Sequence, residues 1–313
     1  MRTTTPTFLW LLLLAIPVTV SLSWVLGGEL VATVSPLELS IGRLGLGTIA
    51  FFFVSNIVST QKALNVNERL AWWGQQFLLS ITGRAAYYAL TSTALLSISP
   101  LEALIMTSLM PVIAFSMERL LGKVFFSWKT PVFGLLASFF VVAALVVRDF
   151  SKINTLKPLH YGHGLMALGI AAYVLHMALY ARLVKDKNPA NPLFAQFLIG
   201  FLLLIPFEPQ ALMFMKDLNA LKWVHFLIYA LICNIIPFVA VHFCLKHFDS
   251  FKVSTVSILS PLFGTFFALA YGSPLPSSVF FILTGAACMS VYLCLKSNVM
   301  PAPDRFDAAG EHA

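Results

Sequence analysis

Six polar residues recur at helical steps within one apolar stretch: Gln76, Ser80, Arg84, Tyr87, Tyr88 and Thr91, separated by 4, 4, 3, 1 and 3 residues. Such steps bring side chains to one face of a helix. A guanidinium among phenol rings is anion-binding chemistry, in which the charge takes a carboxylate or phosphate while the rings stack and hydrogen-bond. The other reading of Arg84 is an ion pair with an acid that ties helices together. Tyr173, His176 and Tyr180 share a second face by steps of 3 and 4, and Asn234 and His242 add polar groups to the same half of the chain. The candidate substrate-binding set is therefore Arg84, Tyr87, Tyr88, Tyr173, His176, Asn234 and His242.

Catalytic chemistry has no comparable support. There is no H-E-x-x-H, no G-x-S-x-G, no phosphate-binding glycine loop and no facing set of carboxylates. The four cysteines, Cys233, Cys244, Cys288 and Cys294, lie in apolar segments without metal-ligand spacing and are expected to be small buried hydrophobes. The reading is of a protein that is not an enzyme, with no metal and no cofactor.

The setting of these residues follows from composition. Hydrophobic residues make up 59% of the 313, and charged residues only 11%. A soluble domain of this size carries about a quarter charged residues, so the chain is expected to be an all-α integral membrane protein. The net charge of +7 sits in short connections between apolar runs, which points to membrane topology and lipid rather than to nucleic acid. The first apolar run reaches Leu26, long enough to span and longer than the 7 to 15 residues of a signal-peptide core.

Apolar runs place ten spans near 8–28, 36–57, 72–95, 101–121, 131–147, 164–184, 193–214, 223–245, 253–272 and 278–296. Alternate connections carry 13 and 5 basic residues, which puts both termini in the cytoplasm of a cell with the chain in its inner membrane. Residues 1–150 and 151–313 echo one another. Pro111 is followed by Gly134 as Pro261 is by Gly285, and Ser108-Leu109-Met110-Pro111-Val112 is similar to Leu259-Ser260-Pro261-Leu262-Phe263. Five spans per half require the second half to insert upside down, which gives two inverted five-helix repeats with a substrate site near the midplane between them.

Ser35-Pro36-Leu37-Glu38 and Ser99-Pro100-Leu101-Glu102 each open a span, and Arg43 and Arg84 lie roughly 10 to 16 Å deep at 1.5 Å per residue. Glu38, Glu102 and Arg43 are therefore coupling or gate candidates, and either glutamate is expected within reach of an arginine that extends outward. Ser254, Ser257, Pro261 and Gly264 form a stripe expected to serve close helix packing, with Pro261 bending its helix.

The chain resembles the drug/metabolite transporter superfamily in its ten-helix EamA-type branch. Pro36 with Arg43, Ser108 to Val112 leading to Glu118-Arg119, Val253 to Pro261, and Ala89-Leu90 carry the resemblance, which covers residues 8–296. The first span has Ile16-Pro17 where the family has Trp-Gly, and the ninth ends Ala270-Tyr271-Gly272-Ser273-Pro274 without the counterpart of Glu118. The resemblance implies alternating access through a central cavity lined by the third, fourth, eighth and ninth spans, and export of amino acids or related zwitterionic or anionic compounds. Transport of S-adenosylmethionine or a nucleotide-type cofactor is the alternative, and a lipid-linked sugar flippase is the reading from another class. Arg43 and Glu118 are structural positions in the family pattern.

Overall fold

The computed structural model describes residues 7–58, 66–120, 124–126, 128–148, 161–184, 189–211, 213–216, 218–270, 277–297 and 299–301. Several basic residues of the charge comparison, among them Arg2, Lys62, Lys152 and Arg305, and residues 271–274 at the end of the expected ninth span, lie outside these.

The first half runs α1 (Thr7–Leu30), α2 (Pro36–Val58), α3 (Val66–Ser80), a π turn (Ile81–Ala86), α4 (Tyr87–Ala94), α5 (Pro100–Thr107), α6 (Met110–Leu120) and α7 (Lys129–Arg148). The second runs α8 (Tyr161–Leu183), α9 (Ala190–Leu204), α10 (Ala220–Leu227), a π turn (Ile228–Ile232), α11 (Cys233–Cys244), α12 (Ser250–Ser257), α13 (Ser260–Ala270) and α14 (Ser278–Lys296). Val124–Phe126 and Val299–Pro301 pair antiparallel. Among the described residues, seven segments are long and apolar enough to cross a membrane, against the ten spans expected. The seventh expected span is shorter than read, because the helix gives way to a 3₁₀ turn at Ile205–Phe207, where Pro206 supplies no backbone donor.

Local chemistry sets the helix ends. Ser35 and Glu38 exchange side-chain and backbone bonds of 2.9 and 3.2 Å, and Ser99 and Glu102 do the same at 2.6 and 3.2 Å. These are capping boxes, each satisfying two orphan N–H groups at a helix start. Asn219, Asp249 and Ser277 cap α10, α12 and α14 by accepting from the backbone three residues on.

The halves share their interruptions. The end of α4 and both ends of α5 and α6 recur 150 residues later in α11, α12 and α13. Pro111 and Pro261 lack the N–H that would bond four residues back, so each helix breaks one turn earlier into 3₁₀-type bonds at Ile105–Ser108 and Thr255–Ile258. The packing also survives exchange of the halves: α7 lies on α14, α2 on α9 and α6 on α12, while α1 packs on α11 and α13 as α8 does on α4 and α6. Gly264 makes the α13–α5 approach possible, since a Cβ there would come 2.6 Å from Leu104 Cδ1. Outward faces carry Phe52, Phe53, Ile57, Leu135, Phe139 and Ile282, an apolar exterior suited to lipid.

A central cavity and a sealed polar layer

Between the halves lies a cavity of about 40 Å³, room for about three waters. Its wall comes from α1 (Ile16, Val20, Ser23, Trp24), α2 (Arg43), α4 (Tyr87, Thr91, Ser92), α8 (Tyr173), the second π turn (Tyr229) and α11 (Cys233, Pro237, Phe238). Met110 and Ser257 add the two points where the α5/α6 and α12/α13 helices break.

Arg43 is the charge on this wall. One amino group donates to the Cys233 carbonyl at 2.9 Å, and its guanidinium carbon lies 4.6 Å from the Tyr88 ring centre and 4.3 Å from that of Tyr229. Pro237 explains the acceptor, because it lacks the N–H that would otherwise bond the Cys233 carbonyl four residues earlier. Tyr88 donates to Asn234 Oδ1, and Asn234 Nδ2 donates to the Arg43 carbonyl at 3.1 Å, so Tyr88 and Asn234 lock the arginine from both sides. Arg43 Nε–H and Trp24 Nε1–H are buried donors without a partner. Tyr87 and Tyr173 stack at 4.8 Å on the same wall.

The sequence placed the anion role on Arg84, but Arg84 does not reach this cavity. Its guanidinium lies 3.8 Å from the Phe238 ring centre and 4.7 Å from that of Phe197, and donates to Gln196 Oε1 at 3.1 Å and to the Gly83 carbonyl at 2.9 Å. Gln196 in turn donates to Gln76 Oε1 at 2.9 Å. His176 and His242 join this layer with ring centres 5.5 Å apart, and each puts Nδ1 against a backbone carbonyl, Leu79 at 3.0 Å and Phe238 at 2.5 Å. Gln76, Arg84, His176, Gln196 and His242 have no exposed surface. The predicted residues thus fall into three groups: Tyr87 and Tyr173 on the cavity wall with Arg43, Tyr88 and Asn234 bonded around Arg43, and Arg84, His176 and His242 in a layer that does not line the cavity, with the Phe238 ring over Arg84.

The π turn keeps the third span's polar stripe inside the bundle. Steps of four drift by about 40° each on an α-helix of 3.6 residues per turn, and the wider turn at Ile81–Ala86 takes the drift back, so Gln76, Ser80, Arg84 and Tyr88 all stay buried.

The expected pairing of Glu38 or Glu102 with an arginine is not made. Both carboxylates close capping boxes, Glu102 lies 3.7 Å from His163 Nε2, and among the described residues neither Arg43 nor Arg84 has a carboxylate partner. Glu118 is buried at 3% exposure and accepts from Ser250 N at 3.2 Å and from the Ser250 hydroxyl, which bonds α6 to the start of α12. Of the cysteines, Cys288 is exposed on the apolar exterior and the other three are buried. Trp24, Tyr229 and Phe238 are wall residues that the sequence did not single out, because an aromatic ring in an apolar run has no polar mark. Pro237 carried the available signal.

The sequence profile described as the EamA-like transporter family matches residues 7–147 and again 160–296. The chain belongs to the EamA-like transporter family. It is a multi-pass membrane protein of a family of small-molecule transporters, built from two copies of the family's repeat. No curated protein matches it. A solved structure described only as "Crystal structure of protein" shares the fold: TM-score 0.66 at 16% identity, covering 93% of this chain and 98% of that one.

Proposed function

We propose that this EamA-family chain is a ten-span secondary transporter that exports a small metabolite bearing a carboxylate or phosphate. Residues 1–150 and 151–313 form inverted repeats, both termini face the cytoplasm of the inner membrane, and the substrate is held in the cavity between the repeats. One observation carries the reading: Arg43 stands on a cavity wall shared by both halves, with no carboxylate partner among the described residues, beside two unspent donors, Arg43 Nε–H and Trp24 Nε1–H. A buried charge in a membrane is expensive, and a carbonyl and two rings do not neutralise it, so a ligand of opposite charge accounts for it. The Tyr87–Tyr173 stack supplies an apolar platform for the body of that ligand.

Room for about three waters is less than the five heavy atoms of the smallest amino acid, so we read this as a contracted state whose walls part for loading. The paired breaks at Met110 and Ser257 sit on that wall, where a change of angle in α5/α6 or α12/α13 opens one side or the other.

The test is counterflow into proteoliposomes with amino acids, hydroxy and keto acids, nucleotides, S-adenosylmethionine and cationic drugs, repeated with Arg43→Gln. Losing a charged hydrogen bond worth about 1.5–3 kcal/mol weakens a carboxylate substrate about ten- to a hundredfold. Transport of a carboxylate by Arg43→Gln at the unsubstituted affinity overturns the assignment. Movement of a lipid-linked sugar with none of the panel carried replaces it with a flippase.

A further inference from the structure

The layer behind Phe238 holds an uncommon concentration of unspent polar atoms. Arg84 Nε, Gln76 Nε2, His176 Nε2 and His242 Nε2 are all buried without a hydrogen-bond partner. Native interiors leave few such atoms, and here four belong to one connected set: Gln76 bonds Gln196, Gln196 bonds Arg84, and the two imidazoles adjoin one another. Their polarity can be assigned. Carbonyl oxygens only accept, so the bonds to Leu79 and Phe238 put the hydrogen of each imidazole on Nδ1 and leave a lone pair on Nε2. The layer therefore offers two donors, on Arg84 and Gln76, and two acceptors, on the histidines. Arg84 gives it a positive charge, and no carboxylate among the described residues offsets it.

We propose that this layer is a second binding station for the transported metabolite, and that it selects a carboxylate whose neighbouring carbon bears a hydroxyl or ammonium donor. The carboxylate oxygens accept from Arg84 Nε–H and Gln76 N–H, and the donor on the next carbon meets a histidine Nε2. An anion without that donor leaves the lone pairs unmet, and a cation without a carboxylate meets Arg84. Phe238 is the partition: one side of it lines the cavity and its ring covers Arg84 at 3.8 Å. Pro237 next to it removes a rung of the helix ladder, which frees this turn to shift. The inference rests on the transporter reading and adds a station one helical turn beyond Tyr173 on α8 and Phe238 on α11.

The experiment places a thiol in the layer. Ser80, fully buried and bonded to the Gln196 carbonyl at 2.7 Å, is replaced by the near-isosteric Ser80→Cys with the four native cysteines changed to alanine. Reconstituted protein is exposed to anionic 2-sulfonatoethyl and cationic 2-(trimethylammonium)ethyl methanethiosulfonate, with and without Phe238→Ala. The expected result is labelling about tenfold faster by the anionic reagent, faster again with Phe238→Ala, with the preference lost in Arg84→Gln. Lactate and alanine protect, propionate protects weakly and ethanolamine does not. Equal rates for the two reagents, no labelling even in Phe238→Ala, or protection by ethanolamine overturns the station. Calorimetric titration of the unsubstituted protein with lactate and propionate reads the same discrimination without a mutation, and equal affinity for the two counts against it. Charge-selective labelling in a protein that carries nothing keeps the station and sinks transport; transport with unselective labelling does the reverse.

Discussion

Gly83 lies on the first π turn, and an added Cβ there would sit 2.3 Å from both Cγ and Nδ1 of His176. Ordinary carbon contacts are about 3.5–4.0 Å, so Gly83→Ala forces the imidazole back by more than about 1 Å. That retreat breaks the 3.0 Å bond from His176 to the Leu79 carbonyl. Overpacking costs about 1–3 kcal/mol and an unmade buried hydrogen bond about 1–3 more, while replacing glycine in a helix returns about 1. Gly83→Ala is therefore expected to destabilise by about 1–5 kcal/mol. In a His176→Ala background the obstacle is gone, and the same change is expected to be neutral or stabilising by up to about 1 kcal/mol. Equilibrium unfolding of the four proteins in mixed detergent micelles measures the cycle. Equal costs of Gly83→Ala in both backgrounds would refute the packing of α8 on the π turn, and with it the position of His176 in the polar layer.

Two further outcomes follow from the connections between spans. Glu118→Ala removes both bonds from Ser250, each worth about 1.5–3 kcal/mol, so a pair of spin labels at the ends of α6 and α12 should populate a longer distance at least about tenfold more; an unchanged distribution means that these bonds do not hold the halves together. Burial raises the pKa of Asp249, which caps α12, above that of a free aspartate near 3.9. The folded chain then binds the proton more tightly than the unfolded one, so stability falls as pH rises from about 4 through the folded pKa. Asp249→Asn keeps a good cap and is expected to abolish that slope in pH-dependent unfolding; a slope that persists assigns it to another group.

The fold was legible in the sequence wherever length or proline writes it. Apolar runs located the seven described segments that are long enough to cross a membrane, and Pro111 and Pro261 marked breaks that recur 150 residues apart. A π turn inserts one residue into a helix without a compositional trace, so neither Ile81–Ala86 nor Ile228–Ile232 could be read. That one omission decided the site. Without it the third span's polar stripe reads as a single surface with Arg84 at its centre, whereas the structure turns Tyr87 to the cavity and Arg84 to the layer behind. Glu38 and Glu102 were legible and were given the wrong weight: Ser-x-x-Glu before an apolar run is a capping-box pattern, and that local role satisfies both carboxylates before an arginine on another helix can compete.

The capping boxes sharpen the electrostatics of the interior. With Glu38 and Glu102 held at helix starts and Glu118 held by Ser250, the acids that a helix-tying role would assign to the two arginines are already engaged. What holds Arg43 is one carbonyl released by Pro237 and two tyrosine faces; what holds Arg84 is a glutamine, its neighbour's carbonyl and two phenylalanine faces. Carbonyls, amides and rings stabilise a guanidinium without neutralising it, so the positive field survives at both sites, one on each side of Phe238. In the transporter proposed above, an anion leaving Arg43 would meet a second favourable charge rather than a bare apolar barrier, with the Phe238 ring between them. Two arginines with no carboxylate partner among the described residues give the proposed anionic substrate a favourable charge on each side of that ring.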